Sequence, residues 1–123
     1  MYIIRKTITI CSAHQLNLSY QSKCQNLHGH NWKVVIEICS PKLNQDGMII
    51  DFTHISNMVR EWDHQNLNAL FGDTNTTAEN LAQILSQHIN YFLQHNVSGN
   101  KDAFVSMVSM EETEGNIAIW KKD

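Results

Sequence analysis

A chain of 123 residues suffices for one domain with a modest core, here expected to run over residues 1–123. Apolar residues make up 42% and charged residues 17%, the balance of a globular protein rather than a disordered or membrane-spanning one. The formal charge of −3 comes with no Lys/Arg run, so the sequence carries no electrostatic footprint for nucleic acid. No apolar stretch has the length needed to cross a bilayer.

The opening "MYIIRKTITI" sets charge inside an alternating apolar run, which reads as a strand and not as a secretory leader. Over residues 2–14 the even positions are Tyr, Ile, Lys, Ile, Ile, Ser and His, one mainly apolar face. A second strand is predicted over 30–38, with His30, Trp32, Val34, Ile36 and Ile38 on one side. "SPKLNQDGM", with the lone proline Pro41, reads as a turn region. "DFTHISNMVREW" spaces Phe52, Ile55, Met58, Val59 and Trp62 as one face of a helix.

For the second helix, Thr76 and Glu79 form a capping-box pattern ahead of a stripe of Leu81, Ile84, Leu85, His88, Ile89 and Phe92. Gly99 and its neighbours close it. "AFVSMVSMEE" and "NIAIW" read as two final strands about the turn "TEG". The order β-β-α-α-β-β predicts an α+β domain: a four-stranded antiparallel sheet with both helices on one face. The opposite face needs a partner, for which another copy of the chain is the first choice.

Three cysteines, Cys11, Cys24 and Cys39, are odd in number and form no CxxC pair, which argues against a disulfide framework and for a reducing, cytoplasmic setting. Seven histidines invite a search for a metal. In "CQNLHGH" (24–30), His28 and His30 are two apart, so an extended chain sends both side chains to one face. Gly29 adds no side chain to crowd them. His14 ends the first strand on the parity of its apolar residues, and pairing of the two strands would bring it alongside.

Three imidazoles with an open fourth position are the pattern of a catalytic zinc site. A closed Cys/His₃ site including Cys24 is the other reading of this stretch. A thiol beside a metal or a cation is also a competent acid/base. Asp63 and His64, adjacent in "EWDHQNLN", are candidates to tune it, although adjacent side chains usually diverge. At the end of the third strand, parity places Glu112 with Val108 and Met110, and Glu111 with Val105 and Met107. A carboxylate in such surroundings suits the N–H and amino donors of a heterocycle.

These segments, "SAHQL", "CQNLHGHNW", "GMIIDF", "WDHQNLN", "TAEN" and "EET", come in an order and at spacings that resemble the 6-pyruvoyltetrahydropterin synthase / 6-carboxytetrahydropterin synthase family over nearly the full chain. The resemblance implies the tunnelling fold, in which subunits form trimers stacked as a hexamer with active sites between subunits. It implies Zn2+ on His14, His28 and His30. It also implies proton transfer by Cys24, assisted by Asp63 and His64 from a neighbouring subunit, with the pterin ring anchored at Glu112 in the Glu112–Thr113 motif. The CxxxHGH spacing is that of the queuosine-pathway branch, whereas C-x₅-HGH resembles the animal biopterin-pathway enzymes.

The implied activity is a carbon–carbon lyase, 6-carboxy-5,6,7,8-tetrahydropterin synthase. It would convert 7,8-dihydroneopterin triphosphate to 6-carboxytetrahydropterin, acetaldehyde and triphosphate. The alternatives are 6-pyruvoyltetrahydropterin synthase, which eliminates triphosphate but keeps the carbon chain, and a non-catalytic pterin- or metal-binding assembly protein on the same fold. The chain departs from the queuosine branch at Gln15 and Asn26, where arginine is frequent, leaving Lys23 as the nearest cation for the triphosphate. Thr76 replaces a frequent proline, and Trp120 a common tyrosine.

Overall fold

Strand parity dictates the first layer. In the computed structural model, which describes residues 1–95 and 99–123, β1 (Tyr2–His14) and β2 (His28–Ser40) pair antiparallel along their whole length. Tyr2 lies opposite Ser40 at one end and His14 opposite His28 at the other. β3 (Phe104–Thr113) adds to β2 and β4 (Asn116–Lys121) to β3, giving one antiparallel sheet in the order β1-β2-β3-β4. Helices α1 (Phe52–Arg60), the short α2 (Leu67–Phe71) and α3 (Ala78–His95) fill the connection between β2 and β3.

The predicted β-β-α-α-β-β order is therefore present, with α2 as an unpredicted extra turn capped by the Asn66 side chain on Asn68 N–H. The even residues Ile8, Ile10, Trp32, Val34, Ile36 and Ile38 pack against Ile55 and Val59 of α1 and Leu81, Leu85, Ile89 and Leu93 of α3. On the helix-free face Ile3, Ile117 and Ile119 stay more than half exposed.

Three local expectations are corrected. β2 begins at His28 rather than at residue 30, so both histidines of "HGH" lie inside the paired ladder. The cap of α3 is Thr77, whose Oγ1 accepts from Asn80 N–H, while the buried Thr76 turns inward. Val105 does not share the face of Met107. Ile38 pairs with Val105 and Glu37 with Met107, so Ser106 is the extra residue of a β-bulge and Val105 rotates into the core. The Ser106 hydroxyl, freed from alternation, donates to Glu37 Oε1 at 2.7 Å.

The segment after α1 folds back along the outer edge of β1. Asp63 Oδ1 accepts Cys11 N–H at 2.7 Å, His64 N–H donates to Cys11 C=O at 2.6 Å, and Ala13 N–H donates to Gln65 C=O at 2.9 Å. Reaching Cys11 this way places His64 at φ 57°, the left-handed region that non-glycine residues seldom adopt. Ser12 Oγ–H also donates to the Trp62 carbonyl.

Candidate metal centre

The β1–β2 register sets His14 opposite His28 and leaves His30 one step diagonal, opposite Ser12. All three rings meet edge-on, with centroids 4.6 to 5.1 Å apart, over Trp32. Among the described residues, one ligand atom from each of His14, His28 and His30 lies within 4.8 Å of the others, and Cys24 is not a member of this group. The closed Cys/His₃ reading therefore finds no support in the geometry. A Cβ on Gly29 would meet nothing within 4 Å, so crowding within the chain does not demand glycine there.

Backbone carbonyls set the tautomers. His14 Nδ1–H donates to Thr76 C=O and His28 Nδ1–H to Asn26 C=O, each at 2.7 Å. A neutral ring held this way presents an unprotonated Nε2, the arrangement that orients metal-ligating histidines. The Nε2 atoms of His14 and His30 are buried without a hydrogen-bond partner. Burying such atoms unsatisfied is costly, and a bound cation would satisfy both. The donor set fits zinc, as three neutral nitrogens with room for a further ligand.

Burial, the largest cause, pushes both His14 and His30 below the ordinary imidazole value of 6.5, and the neighbouring His28 adds to this. The Glu112 carboxylate opposes it from 3.4 Å (His30 Nε2) and 3.7 Å (His14 Nε2), without hydrogen-bond geometry. In the unfolded chain these rings take up protons more readily than in the folded one. In the metal-free chain the contribution of these two rings to stability is thus expected to be fully present above pH 6.5 and to be lost as pH falls through the window below 6.5. Melting temperatures in chelator, from about pH 7.5 to about pH 5, check this against a His14→Gln/His30→Gln chain, which should show a shallower decline.

The other predicted residues fall in three places. Glu112 lines a cleft of about 670 Å³ between the 16–20 segment, the start of α3 and the β3–β4 turn, beside Leu16, Tyr20, Thr77 and Asn116. That volume is ordinary for a small-molecule site. Thr113 ends β3 opposite Asn116, its Oγ1 accepting from Asn116 Nδ2 at 2.7 Å, and Glu111 Oε2 accepts Gly115 N–H.

Cys24 sits in a single 3₁₀ turn (Lys23–Gln25) held by a Ser22/Gln25 capping box, which "SKCQ" spells out and which the sequence reading passed over. Asp63 and His64 stand at the β1 edge, 3.7 Å apart from Oδ2 to Nε2, with the His64 side chain 80% exposed. Among the described residues neither makes a hydrogen bond or ion pair with Cys24 of the same chain. Sequence reasoning missed Thr76 and Asn26, which act through main-chain carbonyls and leave no residue-type signature.

Known proteins sharpen what this geometry means. A Pyrococcus horikoshii relative is 48% identical over 68 residues, 52% of this chain and 43% of its own. This chain thus matches less than half the length of that relative. The 6-carboxy-5,6,7,8-tetrahydropterin synthase of Rickettsia conorii is 30% identical over 94 residues, 74% of this chain and 67% of that one. The 6-pyruvoyl tetrahydropterin synthase structure of Caenorhabditis elegans superposes with a TM-score of 0.72 at 23% identity, covering 99% of this chain and 96% of that one. The fold is accordingly the tunnelling fold. With residues 3–123 matching the 6-pyruvoyl tetrahydropterin synthase family, this chain belongs to that family.

Proposed function

We propose that the chain is a single-domain, zinc-dependent 6-carboxy-5,6,7,8-tetrahydropterin synthase acting on 7,8-dihydroneopterin triphosphate in the cytoplasm. The observation that carries the reading is the pair of orphaned, buried Nε2 atoms of His14 and His30 next to His28, with Glu112 lining an adjoining cleft. Relatives from Rickettsia and Synechocystis that bear the 6-carboxy-5,6,7,8-tetrahydropterin synthase name support the branch.

His14, His28 and His30 would hold Zn2+, which as a Lewis acid lowers the pKa of protons on a coordinated hydroxyl side chain. Cys24 takes and returns protons at the side-chain carbons. Hydrogen thereby moves into the ring, triphosphate leaves and the carbon–carbon bond breaks, with one water entering the overall balance and no redox cofactor required. The Glu112 carboxylate accepts the pterin's ring N–H and amino group. Asp63 and His64 serve the Cys24 of a neighbouring subunit in a hexamer, which would also cover the apolar residues on the helix-free face.

Incubation with dihydroneopterin triphosphate should release acetaldehyde, 6-carboxytetrahydropterin and triphosphate. A Drosophila melanogaster 6-pyruvoyl tetrahydrobiopterin synthase is 30% identical over 115 residues, 85% of this chain, which keeps the second reading in play. Triphosphate without acetaldehyde would select it. Glu112→Ala should raise KM about tenfold or more while kcat changes less, since a carboxylate–heterocycle pair contributes to binding. Equal kcat and KM in variant and parent would remove Glu112 from the site.

A further inference from the structure

The residues just after His14 leave β1 and, among the described residues, have no strand beside them, yet the N–H groups of residues 15, 16 and 17 are all engaged. Gln15 N–H donates to Asn68 Oδ1 at 2.8 Å, and Asn68 Nδ2 donates back to Gln15 C=O at 2.9 Å. Two residues on the pattern repeats: Asn17 N–H donates to Asn75 Oδ1 at 3.0 Å and Asn75 Nδ2 to Asn17 C=O at 2.8 Å. A carboxamide offers the same kinds of group as the main chain, a carbonyl acceptor and N–H donors, on one planar unit. Each asparagine therefore stands in for a residue of a missing neighbouring strand. Between them, Leu16 N–H points the other way and donates to Cys24 C=O at 2.8 Å. Asn68 Oδ1 also accepts from Thr76 Oγ1 at 3.2 Å, and the Thr76 carbonyl holds His14 Nδ1–H.

We propose that Asn68 and Asn75 are positioning residues, a pair of amide clamps that fix the 15–17 strap and through it the relation of His14 to the Cys24 backbone. The alternation gives them separate tasks. Asn68 acts on the His14 side, through Gln15 and Thr76. Asn75 acts on the far end of the strap, beyond the Leu16–Cys24 link. The metal half of this assignment rests on the zinc reading above; the strap itself does not.

The test uses Asn68→Ala and Asn75→Ala in the full chain, both positions being only partly buried. Hydrogen exchange of the 15–17 amides should speed up in both variants, while the β2 and β3 amides stay protected. Zinc affinity, measured by chelator competition, should fall about tenfold in Asn68→Ala, the lower end of what outer partners of metal ligands contribute, and stay within about twofold in Asn75→Ala. Unchanged exchange at 15–17 in both variants would overturn the clamp. Equal zinc loss in both, or none in Asn68→Ala, would overturn the division of tasks. A parent chain that binds no zinc would refute the metal reading instead, and exchange alone would then decide the clamp.

Discussion

Cys24→Ala is expected to keep its zinc and its fold and to lose acetaldehyde release by at least ~10²–10⁴-fold, the usual contribution of a general acid–base group. The thiol lies outside the group of three ligand nitrogens, so its removal takes nothing from the metal. The Cys24 turn is held through the Cys24 main chain, whose N–H donates to Ser22 Oγ and whose C=O accepts Leu16 N–H, so neither bond needs the thiol. Metal analysis and product release on the same preparation decide the matter. Zinc lost together with activity would make Cys24 a ligand, since metal binding contributes folding energy. Activity retained would leave the thiol without a role.

His28→Ala should part the site from its metal without harming the fold. His28 is only half-buried and its Nδ1–H bond runs to a local carbonyl, Asn26, so the metal-free chain should melt close to the parent. Zinc affinity should drop by more than the ~10–100-fold an outer partner is worth, because a primary ligand is gone. His14→Ala gives the contrasting result. It removes a fully buried ring and strands the Thr76 carbonyl without its donor, which should cost about 1–3 kcal/mol in addition to the metal. Denaturant melts in chelator separate the two variants. Full zinc retention by His28→Ala would sink the three-histidine assignment.

What could be read in advance follows a rule of distance along the chain. The faces of β1 and β2, and with them the meeting of His14, His28 and His30, come from a period of two that any strand obeys. The stripes of α1 and α3 come from the helical period in the same way. By sequence Thr76 reads as a cap because it precedes Glu79 by three, but Thr77 takes that place and Thr76 goes inward to serve His14. The carbonyls of Thr76 and Asn26, and the amides of Asn68 and Asn75, work through groups that every residue has or through asparagines that look like ordinary turn residues. Apart from Asn26, two residues from His28, their partners lie 53 to 62 positions away, where no local pattern reports them. The bulge at Ser106 is likewise silent, since an inserted residue shifts parity without changing composition.

The chain folded back along β1 covers one end of that strand and leaves the other bare. From Cys11 to Ala13 the outward N–H and C=O groups are taken by Asp63, His64 and Gln65. From Tyr2 to Thr9, among the described residues, no strand lies beyond β1. An edge of this kind accepts a further strand only from the Tyr2 end and stops it at the Asp63 carboxylate. The 63–65 segment thus works as a gauge: at about 3.4 Å per residue it limits any added ladder to the first two-thirds of β1. A foreign strand that slid further in would have to displace a charged hydrogen bond. The imidazole end of the β1 edge is thereby kept out of intermolecular β-pairing, and a strand added in a shifted register along that edge is stopped before it reaches His14.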